Sequence, residues 1–129
     1  MLQIRHGVFE TNSSSTHSIT MCSKSEYEAW RNGDVYLNDG WWGKELENRD
    51  KKFLTKEEAI KLITDSGYYE DTDLYSLDKE ELSEIFYEEE IYDTELYDNM
   101  CEYYEQYEEK YTTDSGDVII AFGYFGNNY

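Results

Sequence analysis

Apolar residues recur at helical spacing at several places along this chain. Ala59, Ile60, Leu62 and Ile63 follow Thr55 and Glu58, a pair whose three-residue spacing lets side chain and backbone cap each other at a helix start, and Gly67 stands where that helix would close. Leu82, Ile85 and Phe86, at offsets of three and four, predict a helix near Asp78 to Glu90. Another is predicted from Asp93 to Glu109, with Leu96, Met100, Tyr103, Tyr104 and Tyr107 on its inner side. Ser25 with Glu28 marks a shorter helix that stops near Gly33. Strands are predicted at Leu2 to Arg5, His17 to Cys22, Val35 to Leu37 and, as the strongest signal, the β-branched run Val118 to Phe122. Asn38-Asp39-Gly40 reads as a turn ahead of Trp41-Trp42-Gly43 and a basic linker around Arg49, Lys51 and Lys52, and Asp114 to Asp117 reads as another turn. Strands at both ends with helices between them predict an α+β domain, in which a small antiparallel sheet of N- and C-terminal strands is covered by three to four helices, the C-terminal ones acidic.

A chain of 129 residues is expected to form one domain, 1–129. Its 14 Tyr, five Phe and three Trp argue for a folded, aromatic-rich core despite the charge, because disordered chains are poor in aromatics. No stretch has the roughly 18–20 apolar residues that span a bilayer, and MLQIRHG lacks the apolar run of a signal peptide, so the expected location is the cytosol. Cys22 and Cys101 are too few for a disulfide framework and are expected to be reduced thiols.

Charge changes the picture most. The net charge is −19, from 30 acidic and 11 basic side chains. Residues 1–64 hold ten acids against nine bases and are nearly neutral, whereas 65–117 hold twenty acids against Lys79 and Lys110, a net of −18. Beyond them, 118–125 is expected to be the C-terminal strand. Segregation of this kind suggests a field directed at a basic partner.

On the predicted 93–109 helix, Glu95, Asp98, Glu102, Glu105 and Glu109 follow the spacing three, four, three, four and make an acidic stripe. Like charges at that spacing destabilise a helix by roughly 0.2–0.5 kcal/mol per pair, so the pattern calls for a reason. Together with Glu81, Glu84 and Glu88 and the loop acids Glu70, Asp71 and Asp73, the density becomes comparable to the phosphates of one DNA strand, about one per 3.4 Å. Tyr68, Tyr69 and Tyr75, in the acidic loop, are candidate contact residues. The plain alternative is a solvated helix face. A calcium loop is disfavoured because Asp71-Thr72-Asp73 does not continue into the EF-hand ladder, and direct nucleic-acid binding is disfavoured because the field repels phosphate.

Residues Arg5 to Ser18 read R-H-G-V-F-E-T-N-S-S-S-T-H-S. This stretch resembles the N-terminal R-x-G-x-F-E-T-N-S-S-S-x-H-S segment of small proteins encoded by bacteriophages and other mobile elements of bacteria. The resemblance covers about fourteen residues and implies a viral or mobile-element origin, without assigning an activity. That origin favours counter-defence, and acidic inhibitors of CRISPR nucleases and restriction enzymes are similar to this chain in type, not in sequence. Chemically, the hydroxyls of Ser14 and Ser15 with His17 offer a nucleophile and a base, but Asn and Ser bonding to nearby backbone in a loop is the favoured reading. His6, His17 and Glu10 as a metal site lack a second clustered pair.

The function expected from the sequence is therefore a non-enzymatic, acidic DNA mimic of the anti-CRISPR kind. It would block the basic DNA- or PAM-binding groove of a bacterial defence nuclease, best a type II CRISPR effector with its guide RNA, and need no cofactor or membrane. The expected contact residues are Asp71, Asp73, Glu84, Glu88, Glu95, Asp98, Glu102, Glu105, Glu109, Tyr68, Tyr69 and Tyr75. The alternatives are an enzyme or nucleotide binder built on Glu10 to His17, and a phage interaction module for a basic host protein.

Overall fold

The computed structural model describes residues 15–40, 42 and 45–127. It is an α+β fold with two small antiparallel sheets and four α-helices. In chain order these are β1 (Ser15–Ser23), α1 (Lys24–Arg31), β2 (Tyr36–Asn38), β3 (Phe53–Leu54), α2 (Lys56–Asp65), a 3-10 turn (Leu74–Ser76), α3 (Lys79–Glu88), β4 (Ile91–Tyr92), α4 (Thr94–Met100), β5 (Glu105–Thr112) and β6 (Val118–Asn127). The chain divides into two compact units, one of residues up to Glu28 with those from Asp98 onward, the other Ala29–Tyr97.

In the first unit β6 is the central strand, hydrogen-bonded to β1 on one side and β5 on the other. The register sets Ile19 and Tyr107 either side of Gly123, and Thr20 and Glu108 either side of Phe122. The expected strand at Val118 to Phe122 is thus the middle of the sheet, and its Ile120, Ala121 and Phe122 are buried. Cys22 and Cys101 are free and buried, and burial, helped by the Glu26 carboxylate, pushes the Cys22 thiol up to about 11. Tyr27 lays its ring against Phe122 at 5.4 Å and donates its hydroxyl to Glu108.

The start of α1 differs from expectation. Ser23, not Ser25, is the cap: its Oγ accepts from the Glu26 amide at 3.1 Å while Glu26 Oε1 accepts from the Ser23 amide at 3.0 Å. The end agrees. Gly33, at φ +87°, bonds to the Trp30 carbonyl and Asp34 to that of Ala29, the paired closure that a left-handed glycine allows.

The second unit has its own sheet, ordered β3-β2-β4, in strands too short to show a period in sequence. Leu54, Ala59, Ile60, Leu62, Ile63, Leu74, Phe86 and Ile91 form its core, all of them at most 2% exposed. Burying a Leu, Ile or Phe side chain stabilises a fold by about 1.5–3 kcal/mol, which is why two helices with one apolar side each can hold so short a sheet. The capping box of Thr55 and Glu58 is present as expected, with bonds of 3.2 and 2.8 Å. Trp30 meets Tyr97 edge-on at 5.2 Å, and its indole donates to the Tyr92 carbonyl at 3.0 Å.

The helix expected to run from Asp93 to Glu109 is corrected. α4 stops at Met100, residues 101–104 turn, and Glu105–Thr112 is strand β5. Tyr107, Glu109 and Tyr111 repeat every second residue, a strand period that the same letters hide beneath a helical one, and pairing with β6 decides between them. Asn38 is likewise not a turn residue but the end of β2, and 5% exposed. The strand expected at Leu2 to Arg5 lies outside the described residues.

Candidate functional site

The acidic segment is shared between the units. Within 29–97, residues 29–64 hold seven acids and seven bases, whereas 65–97 hold thirteen acids and only Lys79. The ion pairs Lys51–Glu58, Lys52–Asp39, Lys61–Glu47 and Lys61–Asp65 belong to the near-neutral stretch, Asp65 being the first acid of the acidic one.

Eleven of the thirteen carboxylates in 65–97 are exposed; Glu89 and Asp93 are half-buried. Asp71 and Asp73 lie in the loop before α3, and Asp73 also caps the 3-10 turn by accepting from the Tyr75 amide at 3.1 Å. Glu80, Glu81, Glu84 and Glu88 occupy α3, all exposed. Over the nine residues from Glu80 to Glu88, eight rises or about 12 Å, that is one charge per about 4 Å of axis, close to the phosphate spacing of one DNA strand. The dense acidic row is therefore on α3, not on the helix where it was expected.

The two ends of α3 differ in meaning. Asp78 caps the N-terminus, accepting from the Glu81 amide at 2.8 Å, and Glu80 and Glu81 in the first turn oppose the positive end of the helix dipole, so these acids stabilise the helix. Glu88, Glu89 and Glu90 crowd the negative end, where acids are unfavourable and no basic residue offsets them. Glu90 also adopts φ +59°, a left-handed conformation that glycine normally fills. Its carboxyl is pushed above the usual carboxylate range by burial, then by Asp39 and Glu89. Asp39 is pushed up by burial, against the pull of Lys52, 3.6 Å away. Fold stability alone does not account for Glu88 and Glu90 at this end of the helix.

A hydrogen-bonded pin lies behind this corner. Asn38 Nδ2 donates to the Arg49 and Lys51 carbonyls at 3.0 and 3.1 Å, and its Oδ1 accepts from Trp42 Nε1 at 3.0 Å. Asp39 N bonds to the Glu90 carbonyl at 2.9 Å. A Cβ on Gly40 would stand 2.7 Å from the Glu89 carbonyl, so the two segments approach closely there. Nothing in the sequence singles out Glu89 and Glu90 beyond three consecutive glutamates where a helix should end.

Tyr68 and Tyr75 are 80% and 66% exposed, as contact residues must be. Tyr69 is different: it packs on the core, its hydroxyl donates to Glu89 at 3.1 Å, and burial with Glu89 pushes it up to about 12. Glu95 is exposed on α4.

In the other unit Asp98, Glu102 and Glu105 are exposed, on α4, in the turn and on β5 respectively, and Asp98 accepts from Gln106 Nε2 at 3.2 Å. Glu109 is half-buried on β5, on the strand side shared with Tyr107 and Tyr111. The five-residue stripe thus does not exist as one helix face. Tyr103, expected inside, is 89% exposed, whereas Tyr104 stacks on Tyr124 at 5.0 Å.

Of the alternative catalytic trio, Ser15 and His17 belong to β1, opposite Asn127 and Phe125, and Ser14 lies outside the described residues. His6 and Glu10 also lie outside them. Among the described residues no three His, Cys, Asp or Glu side chains gather as metal ligands, and no helix is long and apolar enough to cross a membrane. No protein-family model matches the chain, and neither curated proteins nor solved structures yield a match.

Proposed function

We propose that this protein is a non-enzymatic inhibitor of phage or mobile-element origin, whose acidic surface occupies the basic DNA-binding groove of a bacterial defence nuclease. A type II CRISPR effector carrying its guide RNA is the target proposed, because it reads its PAM through arginines in a basic channel. The observation that carries the reading is the set of eleven exposed carboxylates in 65–97, with its row on α3 at near-phosphate spacing. Exposed Glu88 and Glu90 at the wrong end of α3 support it, since acids there burden the helix. Exposed Tyr68 and Tyr75 add rigid contact area beside the charge. The resemblance of Arg5 to Ser18 to phage-encoded segments supports the origin.

The test is charge reversal at Asp71, Glu84 and Glu88 to Lys, three exposed positions that neither cap a helix nor enter the core. Inhibition of target-DNA cleavage by the guide-loaded effector should fall at least tenfold, with the circular dichroism unchanged. Binding by the unaltered protein should weaken steeply with salt. Binding that survives the reversal and ignores salt refutes mimicry. On this reading Ser14, Ser15 and His17 changed to Ala leave inhibition intact; its loss in that variant favours chemistry at the N-terminal motif.

A further inference from the structure

We infer that the outer edge of β1 is where two copies of this chain join, strand to strand and antiparallel, about a two-fold axis at Thr20. The inference is independent of the inhibitor reading. Edge strands present open backbone N–H and C=O groups, and proteins protect them with charge, proline or bulges. The two edges of the β1-β6-β5 sheet differ in this respect. β5 carries Glu105, Glu108, Glu109 and Lys110 in eight residues, whereas the nine residues of β1, STHSITMCS, contain no Asp, Glu, Lys, Arg or Pro. Among the described residues β1 pairs with β6 alone.

Charge selects the occupant. At −19 per chain, two copies repel wherever their carboxylates meet; β1 itself carries none, and Glu26 reaches only its last residue, bonding to the Ser23 amide at 3.0 Å, three residues from the axis at Thr20. A charged strand, basic or acidic, would find no ion-pair partner among the side chains of β1 itself. An uncharged strand fits, and β1 is one.

The side chains then set the register. Ile19 and Met21 are 40% and 53% exposed and, being two residues apart, share one face of the sheet. A two-fold axis at Thr20 places Ile19 of each copy opposite Met21 of the other, so that both apolar pairs cover themselves. A slip of one residue turns one copy's pair to the opposite face and loses the match. The same axis sets Thr20 against Thr20, a favourable cross-strand pair. The joined sheet has six strands, with the charged β5 at both outer edges.

Sedimentation equilibrium of the full chain in about 0.15 M salt, where charges are screened beyond roughly 8 Å, tests this. The unaltered protein should show a monomer–dimer equilibrium, and Ile19→Lys with Met21→Lys should raise the dimer Kd at least tenfold while leaving the melting curve unaltered at concentrations well below the unaltered protein's Kd, where both are monomers. Ile19→Cys with Met21→Cys should give a covalent dimer on mild oxidation, seen on a non-reducing gel. A monomer at every concentration up to several hundred micromolar overturns the inference. So does a dimer that the lysine pair leaves unchanged.

Discussion

The hydroxyl of Tyr107 on β5 donates a 2.6 Å hydrogen bond to the backbone carbonyl of Ser18 on β1, reaching it across Gly123 of the strand between them. The crossing is possible only because Gly123 has no side chain: a Cβ there would overlap the Ser18 carbonyl and stand 2.6 Å from the Tyr107 hydroxyl. Burial, with Glu109 as the second cause, pushes the phenol up to about 12, so this proton stays in place throughout the neutral range.

Gly123→Ala should therefore destabilise the sheet by about 3 kcal/mol or more, the cost of overpacking against backbone that cannot move away. Tyr107→Phe, which removes only the hydroxyl, should cost about 1 kcal/mol. Chemical denaturation of both variants checks the order. Equal effects would mean that the hydroxyl, not the space above Gly123, governs this site.

Asn38 uses both amide protons and its oxygen at one buried point. Asn38→Ala should cost about 3 kcal/mol, because two carbonyls and the Trp42 indole lose their partner together. Asn38→Asp should be at least as damaging, since it keeps the acceptor for Trp42 but turns a carboxylate toward the Arg49 and Lys51 carbonyls. Thermal melts of the two variants decide this.

Glu90→Gly should stabilise the protein by about 1 kcal/mol, raising Tm by a few degrees, because glycine relieves the left-handed backbone at φ +59°. If the carboxylates at the end of α3 serve a basic partner, the same variant should bind that partner more weakly. A gain in stability together with a loss of inhibition is the expected pair of results, read from a melt and a cleavage assay.

Stability should rise as pH falls from neutral toward the carboxylate range, still above the pI of 4.2. The sign follows from Glu90 and Asp39, whose carboxyls are raised in the fold. The folded state then holds their protons more tightly than the unfolded chain, and stability is lost as pH climbs through the raised values. Glu58 acts oppositely: its bond to Lys51, foremost, lowers it, so its contribution disappears only at more acidic pH. Glu90→Gln should flatten part of that slope in a series of melts from neutral pH downward.

Elements encoded by neighbouring residues were legible in the sequence. Thr55 and Glu58 announced α2, Gly33 the end of α1, and Val118 to Phe122 a central strand. Ser23 and Ser25 each have a glutamate three residues on, so the sequence does not separate the cap at Ser23 from one at Ser25, and only the backbone geometry does. The second half of the acidic stripe was misplaced for a deeper reason. Residues 105–109 fit the helical spacing and the strand alternation at once, and nothing local marks the end of α4 after Met100.

What the sequence determined alone is the charge and its place along the chain, the α+β alternation, and every feature closed within about four residues, because caps, turns and periodicity are local. What tertiary structure decided is which acids share a surface. Pairing with β6 drew Glu105 and Glu109 into a strand, and the core contacts of Leu82 and Phe86 left Glu80, Glu81, Glu84 and Glu88 exposed in a row. A carboxylate costs nearly the same on an exposed helix as on an exposed strand, so its position is inherited from the apolar and backbone contacts made around it.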